Sequence, residues 1–261
     1  IVRTNAIHWR RTLGMARVEV IKRYSGSLLG IFWGIVRPSL FIAVYWFAIS
    51  IGLRGERLFG DTPFILWLAP GIIVWFFISD ALTVGGSSIR KNSHLVTKMV
   101  FPVATIPTFT VLSLLVVHLM VLTVVVVIFL ASGYGLSVYA LQTAYYLLCA
   151  VSFSIVAATL LSTLTAVSRD VGHMIKSVMT VLFWLTPIIW PLDRLEGPVR
   201  YVIMLNPITY IVQGYRNSFV LDRWFYQQWE YGLYFWGVML VLTLLTSYLF
   251  AKLKGEFADI L

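Results

Sequence analysis

Few ionisable residues interrupt the long apolar segments of this sequence, and such residues are the ones that could do chemistry within an apolar environment. Asp80 and His118 are the two that lie deep in these segments. An ionised group in hydrocarbon costs at least about 2.5 to 3.5 kcal/mol, and a proton relay normally contains several of them. We therefore predict that Asp80 hydrogen-bonds across a helix contact or borders a hydrated cavity, and that His118 is neutral and packed.

Other catalytic patterns are missing from the sequence. The acids Asp193, Glu196 and Asp222 do not form the carboxylate pair or metal-binding cluster that a transferase acting on lipid-linked sugars would need. Cys149 is the only cysteine, which excludes an intrachain disulfide and a cysteine-based metal cluster. No GxxxxGK[ST] phosphate loop is present. We therefore predict no catalytic residue, no metal site and no cofactor in this chain, which is not an enzyme by itself.

The composition indicates an integral membrane protein, because 59% of the residues are hydrophobic, 12% are charged and the mean hydropathy is +0.87. A hydrocarbon core of about 30 Å needs about 20 apolar residues per helix, so the chain has room for about six spans. We predict an all-α protein with a single transmembrane domain over residues 1–261. The predicted spans are residues 30–53, 63–88, 105–132, 139–167, 173–190 and 229–251.

The distribution of basic residues predicts the orientation of the spans. Six Lys and Arg residues precede the first span, whereas the next connection holds Arg54 and Arg57, offset by Glu56 and Asp61. This places the N-terminus in the cytoplasm, and six spans place the C-terminus there too. The net charge of +9 is thus a topology signal, and nucleic-acid binding has little support.

The segment before the first span, residues 1–28, predicts a cytoplasmic interfacial helix. Trp9, Leu13, Ala16 and Val20 follow the spacing of one helical face. The alternative is a charged segment that only sets the topology. Small residues then recur every four positions and indicate close helix contact, within one subunit, in a homodimer or beside a lipid portal; they are Gly26, Gly30 and Gly34. Beyond them, Arg37 either holds an anionic lipid head group or anchors the helix.

Two connections predicted to face the cytoplasm are short and polar, IRKNSHLVTKMVFPVATIP and SRDVGHMIK. They either receive force from a soluble partner or form ordinary solvated turns. On the opposite side, residues 191–228 are too broken to span, because Asn206-Pro207 separates two short apolar pieces. We predict two short re-entrant helices there, sheltered by the spans, which form either an extracytoplasmic lid or a packed cap.

Aromatic residues are abundant, and most are expected in the belts at the membrane interfaces. Six of them are predicted at middle or outer depth, where flat rings could line a path for sugar rings: Tyr45, Trp46, Trp75, Phe76, Phe183 and Trp184. Packing is the alternative for each ring.

Taken together and in this order, six segments carry a family resemblance: RYSGSLLGIFWGIVRPSL, FILWLAPGIIVWFFISDAL, KNSHLVTKMVFPVATIP, SRDVGHMI, FWLTPIIWPLDRLEG and LNPITYIVQGYRN. The chain resembles the permease subunits of bacterial ATP-binding-cassette polysaccharide exporters, which export O-antigen, teichoic acid or capsular polysaccharide. The resemblance covers nearly the whole chain. Arg37 departs from the family, which usually has an uncharged residue before that proline.

The resemblance implies a homodimer in the bacterial inner membrane, with two copies of a separate ATPase subunit that bind ATP and Mg²⁺. An undecaprenyl-diphosphate-linked glycan would pass through its central channel. The implied cytoplasmic entrance comprises Arg23, Tyr24, Gly26, Gly30, Trp33 and Arg37. The implied contact with the ATPase comprises Asn92, Ser93, His94, Leu95, Lys98, Phe101, Arg169 and Asp170. The implied extracytoplasmic exit comprises Asn206, Pro207, Tyr210 and Arg216.

An exporter of small lipids or drugs with the same architecture is the alternative function. A secondary transporter is disfavoured, because the sequence shows neither an intramembrane charge relay nor an inverted repeat.

Overall fold

The computed structural model describes residues 2–52, 62–97 and 101–257, and within these ranges the protein is helical with no β-strand. The helices of the first half are α1 (Val2–Ile7), α2 (Trp9–Tyr24), α3 (Trp33–Trp46), α4 (Phe64–Asp80), α5 (Ser88–Lys91) and α6 (Ser93–Thr97). Those of the second half are α7 (Thr105–Ala131), α8 (Thr143–Val167), α9 (Arg169–Leu185), α10 (Gly197–Met204), α11 (Pro207–Phe219) and α12 (Trp229–Leu253). Short 3₁₀ or π-helical turns extend several of them.

Four helical segments are long and apolar enough to cross a membrane: Phe64–Gly85, Thr105–Ala131, Val138–Val167 and Phe225–Leu253. They agree within a few residues with the second, third, fourth and sixth predicted spans. The helices at the first and fifth predicted spans, Gly30–Trp46 and α9, are shorter, and α9 has 17 residues. The count of six spans therefore stays a prediction.

Helix α4 forms the centre of the fold. Its sequence is apolar on every side, and most of its residues from Phe64 to Ile78 are buried. It packs against α3, α7 and α11, while α8 packs against α7, α11 and α12. This arrangement fixes the depth and direction of the polar side chains that α4 carries at its C-terminal end.

Helix α2 lies along the first half of α7. The residues that it buries there are Thr12, Ala16 and Glu19, whereas Trp9 and Leu13 are exposed. Of the apolar face predicted from Trp9, Leu13, Ala16 and Val20, Ala16 packs against protein and Val20 is half-buried, whereas Trp9 and Leu13 do not pack against it. Small and polar side chains bring the two helices close together.

Candidate functional site

A groove of about 380 Å³ opens between α3, α4 and α9, and aromatic rings line it. The Phe183 ring lies near its centre, with its centroid 5.7 Å from the ring of Tyr45 and 5.7 Å from that of Trp75. Trp184 meets Phe183 edge to face at 5.5 Å. Phe76 completes the set, so the structure brings five of the six predicted channel residues together.

Trp46 is the exception among the predicted channel residues. It follows Tyr45 on α3 and is 37% exposed, but it is not among the residues that line the groove. The lining also contains polar groups that sequence reasoning missed: Ser79, Thr83 and Lys176. They lie one or two helical turns from the rings, and only the approach of α9 to Trp75 and to the π-helical turn after α4 reveals that they line one groove.

A second cavity, of about 460 Å³, lies on the other side of α3 and α4. Arg23, Tyr24, Trp33 and Arg37, four of the six predicted entrance residues, line it. The other two are Gly26 and Gly30, which adopt positive φ angles of 81° and 52° in the segment that joins α2 to α3. These glycines allow the chain to reverse direction between the two helices, since residues with a side chain rarely adopt such angles.

Arg37 and Asp80 form an ion pair where the two cavities meet, and both residues line both cavities. The Nη1 atom of Arg37 is 3.4 Å from Oδ1 of Asp80, and the guanidinium lies 5.8 Å from the ring centroid of Phe76. Asp80 thus hydrogen-bonds across the contact between α3 and α4 and also borders a cavity, so both predicted environments are found. Its partner on α3 is 43 residues away in sequence, and sequence reasoning did not pair the two.

Two other polar groups of the second cavity, Arg23 and His118, have partners of their own. Arg23 donates to Oγ of Ser113 at 3.3 Å and lies 3.7 Å from Glu19. Nε2 of His118 and the Tyr215 hydroxyl are 2.8 Å apart in the buried interior, in agreement with the packed imidazole that we predicted. Partial burial raises the pKa of the Tyr24 hydroxyl, which keeps the phenol neutral at physiological pH.

The residues predicted to contact an ATPase divide into buried and exposed groups. Asn92 and Leu95 are buried, and the Asn92 side chain donates to the backbone carbonyl of Ser88 at 2.9 Å. Ser93 and Phe101 are half-buried, while the exposed members are His94, Arg169 and Asp170. Lys98 lies outside the described residues.

A hydrogen bond joins the two predicted contact regions. Nη1 of Arg90, on α5, donates to the backbone carbonyl of Thr165 at 3.3 Å, near the end of α8 and four residues before Arg169. Leu95 and Phe101 also pack into one apolar cluster with Ile89. The two regions therefore form one connected surface.

The predicted exit residues tie helices together. Asn206 caps α11, because its Oδ1 accepts from the backbone N–H of Ile208 at 3.0 Å, and its Nδ2 donates to Oγ1 of Thr186 at 3.0 Å. Pro207 occupies the first turn of α11, as expected after such a cap. Tyr210 is buried, with its hydroxyl 3.0 Å from that of Tyr145.

Arg216, which the family resemblance placed at the extracytoplasmic exit, is fully buried. Its guanidinium lies 3.6 Å from the centroid of a Trp67 ring system and donates to the backbone carbonyls of Trp67, Pro187 and Ile188. Its role is therefore to hold α11 against α4 and the segment after α9. A cavity of about 380 Å³ with a partly polar lining that includes Asp193, Arg200 and Asn217 lies nearby.

No group of three or more His, Cys, Asp or Glu residues that could hold a metal occurs in the part of the chain that the structure describes. The two cavities are lined instead by aromatic rings and by basic side chains. Such walls can bind a large polar or anionic molecule by stacking and by ion pairing, without bond chemistry.

Comparison with known proteins gives one family match and several relatives. The family model described as ABC-2 type transporter matches residues 11–220. An O-antigen export system permease protein RfbA of Myxococcus xanthus is 25% identical over 249 residues, which is 95% of this chain and 94% of that protein. A protein of the same name from Klebsiella pneumoniae is 26% identical over 247 residues, which is 92% of this chain and 90% of that protein.

Proposed function

Since this chain belongs to the ABC-2 type transporter family, we propose that it is the membrane subunit of an ATP-driven exporter whose cargo is a lipid-linked polysaccharide. The family and the four long apolar helices make it an integral membrane protein and a transporter subunit. The names of the relatives support O-antigen or a similar cell-surface glycan as the cargo. The observation that carries the proposal is the aromatic groove, because it supplies the surface that a chain of sugars needs.

The groove suits sugar rings better than lipid tails. Rings that are at least partly exposed, such as those of Phe76 and Trp184, can pack against the C–H faces of a sugar, and Ser79, Thr83 and Lys176 can hydrogen-bond to its hydroxyl groups. Trp184, which lines the groove, is 58% exposed, so the groove is open on that side. We propose that a second copy of the chain closes this side, which makes a homodimer with a central channel.

The finer topology is also a proposal. Helices α3 and α9 would complete six spans, with both termini in the cytoplasm and the protein in the bacterial inner membrane. Helix α10 has 8 residues and α11 has 13, which are about 12 Å and 20 Å of helix and too short to cross a hydrocarbon core of about 30 Å. We infer that they are re-entrant and shape the exit.

We propose that the surface around His94, Arg169 and Asp170 contacts a separate ATPase subunit, in which ATP and Mg²⁺ bind. These three side chains are exposed, so they are available to a partner. Asn92, Leu95 and Phe101 would hold the surface in place from within. The hydrogen bond from Arg90 to Thr165 would transmit movement of one contact region to the other.

The test is the ATPase activity of this permease, purified with its ATPase subunit in lipid nanodiscs, with and without an undecaprenyl-diphosphate-linked glycan. We expect the glycan to stimulate hydrolysis, while free lipid and drugs leave it unchanged. Stimulation by drugs or simple lipids alone would replace the proposal with a small-molecule exporter. The variant Arg169→Glu is expected to abolish the stimulation, because it reverses a charge at the proposed contact.

Loss of a groove ring is expected to slow export without unfolding the protein. Trp184→Ala removes an exposed ring, so its stability cost is small, but it takes away a stacking surface worth about 0.5 to 1.5 kcal/mol, or about two- to tenfold in rate. Glycan display per permease molecule measures the effect. Trp46→Ala is the matched control, since Trp46 is exposed outside the groove, and equal slowing by both variants would contradict the assignment.

A further inference from the structure

The Arg37–Asp80 ion pair is weakly held for a pair of charges in an apolar setting. One contact of 3.4 Å joins the two side chains, which are 60% and 32% exposed. A guanidinium can donate to two oxygens of one anion in parallel, and here one nitrogen alone approaches the carboxylate. Most of the hydrogen-bonding capacity of Arg37 is therefore not taken up by Asp80.

The charges that line the second cavity are unbalanced. Arg23, Arg37 and Lys91 are basic, and Asp80 is the one acid among the described residues that line it. Outside the lining, Glu19 lies 3.7 Å from Arg23. On the groove side, Lys176 adds a further cation. A cavity with apolar walls and an excess of positive charge concentrates anions.

We propose that Asp80 occupies, in the absence of cargo, the position of a cargo phosphate, and that Arg37 exchanges Asp80 for a phosphate or diphosphate group in the second cavity. The inference rests on the proposed function and names the part of the cargo that is recognised first. Phosphate oxygens match the guanidinium in parallel pairs of hydrogen bonds, whereas Asp80 makes a single long contact. No covalent step is involved.

The position of Arg37 between the cavities also orders the cargo. The guanidinium of Arg37 lies 5.8 Å from the ring centroid of Phe76, and Phe76 lines both the second cavity and the groove. The sugar attached to a diphosphate held by Arg37 would then meet the aromatic rings directly. Arg37 would thus couple recognition of the head group to loading of the glycan path.

The exchange predicts effects of opposite sign for the two members of the pair. Arg37→Gln removes the ligand for phosphate, so binding of an isoprenoid diphosphate should weaken about tenfold or more. Asp80→Asn removes the competing carboxylate and keeps the shape, so binding should become tighter by several-fold. If the ion pair were purely structural, both variants would instead lower the stability of the protein. Binding would then be unchanged in both variants, or would change in the same direction in both.

The experiment measures binding of undecaprenyl diphosphate to the intact permease–ATPase complex in phosphatidylcholine nanodiscs by native mass spectrometry. The control is Arg200→Gln, because Arg200 forms a similar exposed pair with Asp193 at 3.6 Å, and it should bind as the wild type does. Competition with inorganic pyrophosphate distinguishes a site for the phosphate group alone from one that also needs the lipid. Either kind of site supports the proposal, provided that binding weakens in Arg37→Gln.

Several results would overturn the proposal. They are unchanged binding in Arg37→Gln, weakened binding in Asp80→Asn, and recovery of wild-type binding by the exchanged pair Arg37→Asp with Asp80→Arg. Equal competition by phosphatidylglycerol would also reject a site selective for cargo. Failure of the proposed function looks different, since the glycan would then fail to stimulate hydrolysis while undecaprenyl diphosphate still bound through Arg37.

Discussion

Arg216→Met is expected to lower the free energy of unfolding by about 3 kcal/mol or more. Methionine has a similar length but no donor, so three carbonyl oxygens lose their partner in a site that is closed to water, and each costs about 1 to 3 kcal/mol. The stacking of the guanidinium on Trp67 is lost too. The relief from burying a charge offsets part of this cost, because methionine needs no solvation.

The effect of Arg216→Met is measured by thermal unfolding of the purified complex, monitored by tryptophan fluorescence. If the variant is too unstable to purify, the yield of membrane-inserted protein measures its loss of stability instead. Arg200→Met is the control, since Arg200 is exposed and its pair with Asp193 should contribute at most about 1 kcal/mol. Equal stability of both variants and the wild type would show that Arg216 does not hold the fold together.

Gly214→Ala is expected to destabilise the protein by about 3 kcal/mol, near the upper end of the usual cost of overpacking. A Cβ atom at this position would overlap the ring of Tyr146 on α8. That ring is 1% exposed and lies 5.5 Å from the ring of Tyr210, so it has no free space into which to move. Helix α11 would have to move away from α8, and it would take Arg216 with it.

Gly237→Ala is the matched control for Gly214→Ala. Gly237 lies on an exposed face of α12, where an added Cβ would meet no atom within 4 Å. Alanine should leave stability unchanged or raise it by up to about 1 kcal/mol, because it favours the helix. Urea or detergent unfolding of the two variants compares them, and a cost at both positions would mean that close helix packing is not the cause.

Much of the secondary structure could be predicted from local sequence. The apolar run from Thr105 to Ala131 requires a long helix in the membrane, because it carries no residue that would stop one and no polar face that water could solvate. Asn206 and Pro207 mark the start of α11 by the chemistry of a helix cap. These signals lie within a few residues of the structure that they specify, so they can be read without knowledge of the fold.

The environment of the long-range polar residues could not be predicted. Arg216 has the same basic side chain as the residues that mark topology, and its burial depends on carbonyl groups supplied by segments 28 to 149 residues away. The sequence identified Arg37 as a departure from the family, but it did not reveal that Arg37 pairs with Asp80. A hydrophobic pattern indicates that a helix is embedded in the membrane, but it does not indicate which residue of another helix each side chain contacts.

The sequence by itself determined the helical class, the membrane location of the chain and the positions of four long apolar helices, because hydrophobicity and helix caps act through local contacts with solvent and backbone. Only the tertiary structure decided that Tyr45, Trp75 and Phe183 share a groove and that Arg37 stands between two cavities. Those relations depend on the rotation and depth of helices packed against each other, which the summed fit of many side chains sets.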